Sequence, residues 1–220
     1  MGSHHISQNI FDNNCLLLNL VSYNLHGINQ GFSAIRDIIA SHNPDIFLLQ
    51  EHWLTPDNLS TFSRLFPDYF HYGTSAMSSD VSRGVLRGRP YGGVSFLISN
   101  KLIAIITCIA SCERYAIIKV NNCLIINVYL PCSGTANRDI ILSDVLSKIW
   151  LLREQYLDCY CILAGDFNVN LDDKYCNQVS LAIKQFIVFH HLSRCDCALD
   201  FLVKFTYCNE AQGHYSKLDY

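Results

Sequence analysis

Short apolar runs that break off at a polar residue recur along this chain, and they constrain its fold more than any other feature. The clearest covers residues 159–164, which have the length and composition of a buried strand. The run stops at Gly165, a residue that permits a tight turn, and Asp166 and Asn168 follow at alternate positions. That spacing lets a carboxylate and an amide point the same way from a strand end, where they can hold a water, a metal or a phosphate oxygen. Gly-Asp-Phe-Asn is equally ordinary turn chemistry, so the tetrapeptide decides nothing alone. Other polar residues must converge on the same place.

Comparable runs do end in such groups. Residues 15–23 read as a strand running into a turn that holds Asn24, and residues 46–49 as a second, ending at Gln50 and Glu51. Asn121 and Asn122 suit a two-residue hairpin turn into a strand that ends at Tyr129. Strand-like runs also cover 94–98, 102–109 and 115–120. Helical spacing of Ile35, Ile38 and Ile39 marks residues 32–41, stopped by Asn43 and Pro44. Further helices are expected from Pro56 to about Phe66, over 140–156 and over 181–189. The end of the chain reads as strand over 199–207 and 215–220, the second holding Asp219. Residues 73–93 read as one long loop carrying Arg83, Arg87 and Arg89, a local positive cluster suited to phosphate. Open α/β sheets place ligands at the ends of strands, and Asn24, Glu51, Tyr129 and Asp166 all stand there. The geometry expected is one cleft joining Asn24, Glu51, Asp166, Asn168 and Asp219, with Tyr129 on its wall.

Half of the 220 residues are hydrophobic and 16% are charged, the composition of a mixed α/β domain with a thick core. The formal net charge of −3 does not attract a polyanion to the whole surface, so any nucleic-acid contact must come from local patches. Eleven cysteines, an odd number with no Cys-x-x-Cys pair, read as reduced thiols in an intracellular protein. No apolar run approaches the roughly 20 residues that span a bilayer, and no secretory signal opens the chain. Residues 1–14, with His4 and His5, read as a tail or tag remnant and 15–220 as the domain.

Taken in order, Ser-Tyr-Asn24-Leu-His-Gly, Leu-Leu-Gln-Glu51-His-Trp, Asn-Val-Tyr129-Leu-Pro, Gly-Asp166-Phe-Asn168, Phe-Thr206-Tyr and Ser216-Lys-Leu-Asp219-Tyr resemble the endonuclease/exonuclease/phosphatase superfamily. The stretch Arg87-Gly-Arg89-Pro-Tyr-Gly-Gly-Val and the Ser-Lys-Leu-Asp-Tyr ending look most like endonuclease domains of LINE-type non-LTR retrotransposons. The resemblance implies a two-sheet α/β sandwich of the DNase I-like type and a divalent-metal phosphodiesterase that nicks DNA to prime reverse transcription. It implies Mg²⁺, with Mn²⁺ as the substitute, held at Glu51 and Asn24. Asp166 would activate the attacking water, and Asn168 and Tyr129 would steady the phosphate. Thr206, Ser216, Arg87 and Arg89 would contact substrate, and Asp219 would orient a catalytic histidine. It further implies DNA as partner, a reverse transcriptase domain in the same polyprotein, and a nuclear site of action.

The superfamily's closing Ser-Asp-His motif does not occur in this sequence. On that reading the domain is C-terminally incomplete, lacks its last strand and nicks DNA weakly. Two other functions follow from the same residues: an inactive nucleic-acid-binding module or remnant, and a phosphomonoesterase acting on inositol phosphates or lipids.

Overall fold

Strands β3 (Ile46–Gln50), β5 (Val94–Ser99), β7 (Tyr115–Val120) and β8 (Cys123–Tyr129) are buried along nearly their whole length, as in a sheet with both faces covered. The computed structural model describes residues 4–7, 17–84, 88–173, 177–195, 207–209, 214–216 and 218. Contacts divide the chain into two compact units, Ser3–Tyr129 with Cys159–Gly165, and Met1–Gly2, Leu130–Asp158 and Asp166–Tyr220.

The first unit carries two sheets. Strands β1 (His4–Ser7), β2 (Asn19–Asn24), β3 (Ile46–Gln50), β4 (Tyr69–Thr74) and β5 (Val94–Ser99) form one, in the order β1-β2-β3-β5-β4. Strands β2 and β3 run parallel, and the other pairings are antiparallel. Strands β6 (Ile106–Ser111), β7 (Tyr115–Val120), β8 (Cys123–Tyr129) and β9 (Tyr160–Asp166) follow in sequence order in the other. A 2.9 Å bond from Tyr160 N to Asn122 O at one end and the approach of Gly165 to Val128 O at the other make β9 parallel to β8.

Alternate residues build the core. Ile46 and Leu48 of β3 and Val94, Phe96 and Ile98 of β5 share one buried cluster with Ala116, Ile118, Ile125 and Ala164 of the second sheet. The intervening Phe47, Leu49 and Leu97 face the other way, onto helix α1 (Ile28–His42) and Phe62 of α2 (Thr61–Leu65). On α1, Ile28, Gly31, Ile35 and Ile38 make the buried stripe at helical spacing. Asn43 closes the helix in the left-handed conformation, its N–H on Ile39 O, as Asn-Pro led one to expect.

The second unit contains α4 (Arg138–Glu154), α5 (Gln178–Phe189) and a hairpin of β10 (Tyr207–Asn209) with β11 (His214–Ser216). Helix α4 buries Leu142, Val145, Leu146 and Ile149. Helix α5 begins at Asn177, whose side-chain oxygen accepts from Ser180 N at 2.8 Å.

Several expectations need correction. The 73–93 region is not one loop: it starts inside β4 and contains helix α3 (Ser78–Ser82). The strand expected at 102–109 opens as a 3-10 turn, Asn100–Ile105, before β6 begins. Gly165 does not turn the chain. It lies within β9, where a Cβ would meet Val128 O at 2.2 Å, so the residue is there to let two strands approach. His214, just before the strand expected over 215–220, opens β11. Among the described residues, Cys108, Cys123 and Cys159 are free thiols. Among the described residues no helix is long and apolar enough to cross a membrane.

Candidate active site

Parallel pairing of β2 with β3 sets Asn24 opposite Gln50, so the residue after β3, Glu51, emerges beside Asn24. Asn24 Nδ2 donates to Glu51 Oε1 at 3.0 Å, and Asn24 Oδ1 accepts from His26 N at 3.0 Å. The side chain of Glu51 is only 18% exposed, and His26 Nδ1 lies 3.7 Å from its Oε2.

The backbone around Glu51 is forced into an unusual path. Glu51 and Trp53 both have left-handed φ, at 54° and 55°, which costs a residue with a Cβ about 1–2 kcal/mol. Two pairs of neighbours hold it there. Glu51 N donates to Gly93 O and Trp53 N to Gly92 O, while Gly27 N and Ile28 N donate to Glu51 O and His52 O. Gly27 and Gly93 have φ of 92° and 95°, and a Cβ on either would strike an aromatic ring, Trp53 in the first case and His52 in the second.

His52 is the buried peg of this turn. Leu54 N donates to its Nδ1 at 3.1 Å, so the ring proton sits on Nε2, 3.3 Å from Thr74 O. Burial, opposed by the Thr74 bond and aided by the neighbouring His71, pushes its pKa down to about 4. His71 is also lowered to about 4 by burial; it stacks on Phe62 at 4.6 Å and meets Ser95 Oγ at 3.0 Å.

Tyr129 ends β8. Gly92, which receives the Trp53 N–H, would place a Cβ 3.7 Å from the Tyr129 ring. Two residues earlier in β8, buried Asn127 takes a 2.6 Å bond from Gln50 Nε2 and donates to Leu49 O and Ser95 O at 3.1 and 2.9 Å. This polar tie fixes β8 against β3 and β5 next to Glu51. The first unit therefore brings Asn24, Glu51 and Tyr129 to one end of its sheets.

The second unit holds the other pair. Asp166 ends β9 and is 5% exposed. Its Oδ1 accepts from Asn168 N at 2.9 Å, a tight Asx turn that puts Asn168 at φ 51°. Asn168 Nδ2 donates to Leu130 O at 3.0 Å, and Leu130 N donates to Asp166 O at 2.9 Å. Arg138 locks the turn from outside, with Nε on Pro131 O at 2.8 Å and Nη2 on Asn168 O at 2.7 Å.

Of the other expected residues, Ser216 ends β11, its Cα paired with that of Tyr207. Arg87, Thr206 and Asp219 lie outside the described residues. Arg89 is exposed. Arg83 is bound to Asp80 Oδ1 at 3.0 Å and to Ser79 O, so it serves the loop itself. Sequence reasoning passed over Asn127, Arg138 and Arg114, whose guanidinium lies 5.3 Å from the Tyr129 ring centre. A polar Asn in an otherwise apolar strand was the available signal for the first.

The donor set at Glu51 fits Mg²⁺. A largely covered carboxylate has an amide on one oxygen and no Lys or Arg ion pair among the described residues. Mg²⁺ accepts one or two carboxylates and completes its shell with water and phosphate oxygens, and no group of three His, Cys, Asp or Glu gathers among the described residues.

Residues 21–180 match the model of the Endonuclease/Exonuclease/phosphatase family. No curated protein sequence matches significantly. Among solved structures, an AP endonuclease from Archaeoglobus fulgidus aligns with a TM-score of 0.62 at 15% identity, over 92% of this chain and 85% of that one. An AP endonuclease from Leishmania major gives 0.61 at 14%, over 91% and 77%. A 3′ phosphatase from Neisseria, solved with a product DNA hairpin, gives 0.57 at 14%, over 79% and 71%. At such identities the likeness is one of fold, a two-sheet α/β sandwich.

Proposed function

The chain belongs to the Endonuclease/Exonuclease/phosphatase family, and from that membership we propose that it is the Mg²⁺-dependent, DNA-nicking endonuclease domain of a LINE-type retrotransposon. The observation that carries the reading is Glu51, a covered carboxylate held by strained backbone and bonded to Asn24. Strain of this kind persists where surrounding structure over-determines it, and it clusters at working sites. The sequence Arg87-Gly-Arg89-Pro-Tyr-Gly-Gly-Val adds the LINE resemblance, and two of its glycines are the ones that receive the Glu51 and Trp53 amides.

In this function Glu51, with Asn24 beside it, would hold Mg²⁺, which would supply a Lewis acid to offset charge on the phosphodiester. Mn²⁺ suits the same oxygens. Asp166 orients the attacking water and takes its proton, its carboxylate already fixed by the Asn168 amide. Tyr129 and Asn168 donate to the phosphoryl oxygens as negative charge builds. Water adds to phosphorus, the P–O3′ bond breaks, and the leaving 3′ oxygen takes a proton from solvent water; the 3′-hydroxyl so formed is the end a reverse transcriptase domain of the same polyprotein extends. Acting on chromosomal DNA, the domain works in the nucleus.

Conversion of supercoiled plasmid to open circles is the test. Nicking should require Mg²⁺ or Mn²⁺, stop on chelation, and fall by about 100-fold or more in Glu51→Gln and in Asp166→Asn. Nicking untouched by Glu51→Gln would refute the site. DNA binding without metal-dependent nicking would make the chain a binding module, and phosphate release from inositol phosphates instead would make it a phosphomonoesterase.

A further inference from the structure

The wall residue Tyr129 has a companion that the proposed chemistry does not use. Arg114, in the turn between β6 and β7, is half-buried and its guanidinium carbon lies 5.3 Å from the centre of the Tyr129 ring. The two residues are also joined through the backbone, Tyr129 N donating to Arg114 O at 2.8 Å. The cation is thus fixed by a ring and a strand rather than by an acid. Among the described residues its guanidinium makes no ion pair and no hydrogen bond.

Two acids stand near, and neither satisfies it. Asp80, Glu113 and Arg114 all act on the Tyr91 hydroxyl. Asp80 is committed, one oxygen to Arg83 at 3.0 Å and the other to Tyr91 at 3.1 Å. Glu113 forms no ion pair with Arg114. A guanidinium held over a ring face still presents its N–H fork to a ligand, and such a fork takes two oxygens of a phosphate.

We propose that Arg114 is a phosphodiester-binding residue: held over Tyr129, it receives a backbone phosphate of a nucleic-acid strand beside the phosphate that Tyr129 faces. This rests on the nuclease reading of the same site. It makes the pair Arg114–Tyr129 a register device, fixing which phosphate enters the cleft and favouring a continuous strand over an isolated phosphate ester. It also places a recognition cation outside the 83–89 arginine cluster, where Arg83 is already engaged.

The test is duplex-DNA binding in Mg²⁺, in an Asp166→Asn background that stops cleavage, read by fluorescence anisotropy across a salt series. Arg114→Met should bind about tenfold more weakly and lower the slope of log affinity on log salt by about 0.9, one phosphate contact. A scan of single methylphosphonates along one strand then locates the contact. One position near the nick should cost about as much affinity as Arg114→Met does, and should cost nothing further in that variant. Arg114→Gln, which keeps a polar planar end without charge, repeats the comparison should the Met variant unfold early in a thermal melt.

Unchanged affinity and slope in both variants overturn the inference and leave the nuclease reading standing. Weakened binding with the same methylphosphonate penalties at every position also overturns it, since Arg114 would then act only by packing Tyr129. No salt-dependent DNA binding by the parent chain would overturn both readings together.

Discussion

Acidification tests the packing beneath the Glu51 turn. Burial holds His52 and His71 at about 4 in the folded chain, against roughly 6.5 once unfolded. A histidine lowered by folding contributes stability that is fully present above the unfolded pKa and lost as pH falls towards the folded one. Over that window the unfolded chain binds a proton that the native ring refuses. Between about pH 7 and about pH 5 the loss works out at about 2 kcal/mol for His52. His71, partly open to solvent, contributes less, so the two together lose roughly 3 kcal/mol. That is a large part of a typical domain stability of about 5–15 kcal/mol. Urea unfolding at stepped pH reads it directly. His71→Phe keeps the stack on Phe62 and should flatten the curve by its share, although loss of the Ser95 contact lowers the whole curve. A stability that stays level across this range would refute the picture of two neutral, buried imidazoles.

Gly93→Ala should cost roughly 2–5 kcal/mol, from left-handed backbone and collision with the His52 ring, whereas Gly84→Ala, with open space around it, should cost only about 1 kcal/mol. Thermal melts of the two variants give the difference, and equal losses would mean the His52 ring can move aside. Arg138→Met removes both clamps on the Asp166–Asn168 turn and should lower kcat for plasmid nicking by about 10- to 100-fold with KM little changed. An unaltered kcat would show that the Asx turn holds itself.

Much of the fold was legible because the strands are short and apolar, and β3, β5, β7 and β8 are nearly wholly buried, so pattern and length alone marked β2, β3, β5, β7, β8 and β9. Strand β4 was not, since Tyr-Phe-His-Tyr-Gly-Thr lacks alternation and carries a histidine whose burial depends on a stack with Phe62, a residue of another element. The Asn24–Glu51 and Asp166–Asn168 pairs were legible for different reasons. The second is local, two residues apart. The first needs the parallel register of β2 and β3, which sequence suggests only through the common place of Asn24 and Glu51 at strand ends.

What could not be read was how Glu51 is held, and there the physics is non-local throughout. Nothing in Gln-Glu-His-Trp announces alternate left-handed residues, because Glu and Trp both disfavour that conformation. The path becomes stable only when Gly92 and Gly93 offer carbonyls from one side and Gly27 and Ile28 offer amides from the other. Both flanking segments must lie close, so Gly27 and Gly93 lack a Cβ for the sake of the Trp53 and His52 rings. A glycine read locally as a flexible loop residue is therefore part of the wall that aims a carboxylate. His52 supplies the converse lesson: a histidine beside Glu51 looks like chemistry, yet its Nδ1 accepts from Leu54 N and burial keeps it neutral. It acts by filling space, and the turn it fills fixes where Glu51 points.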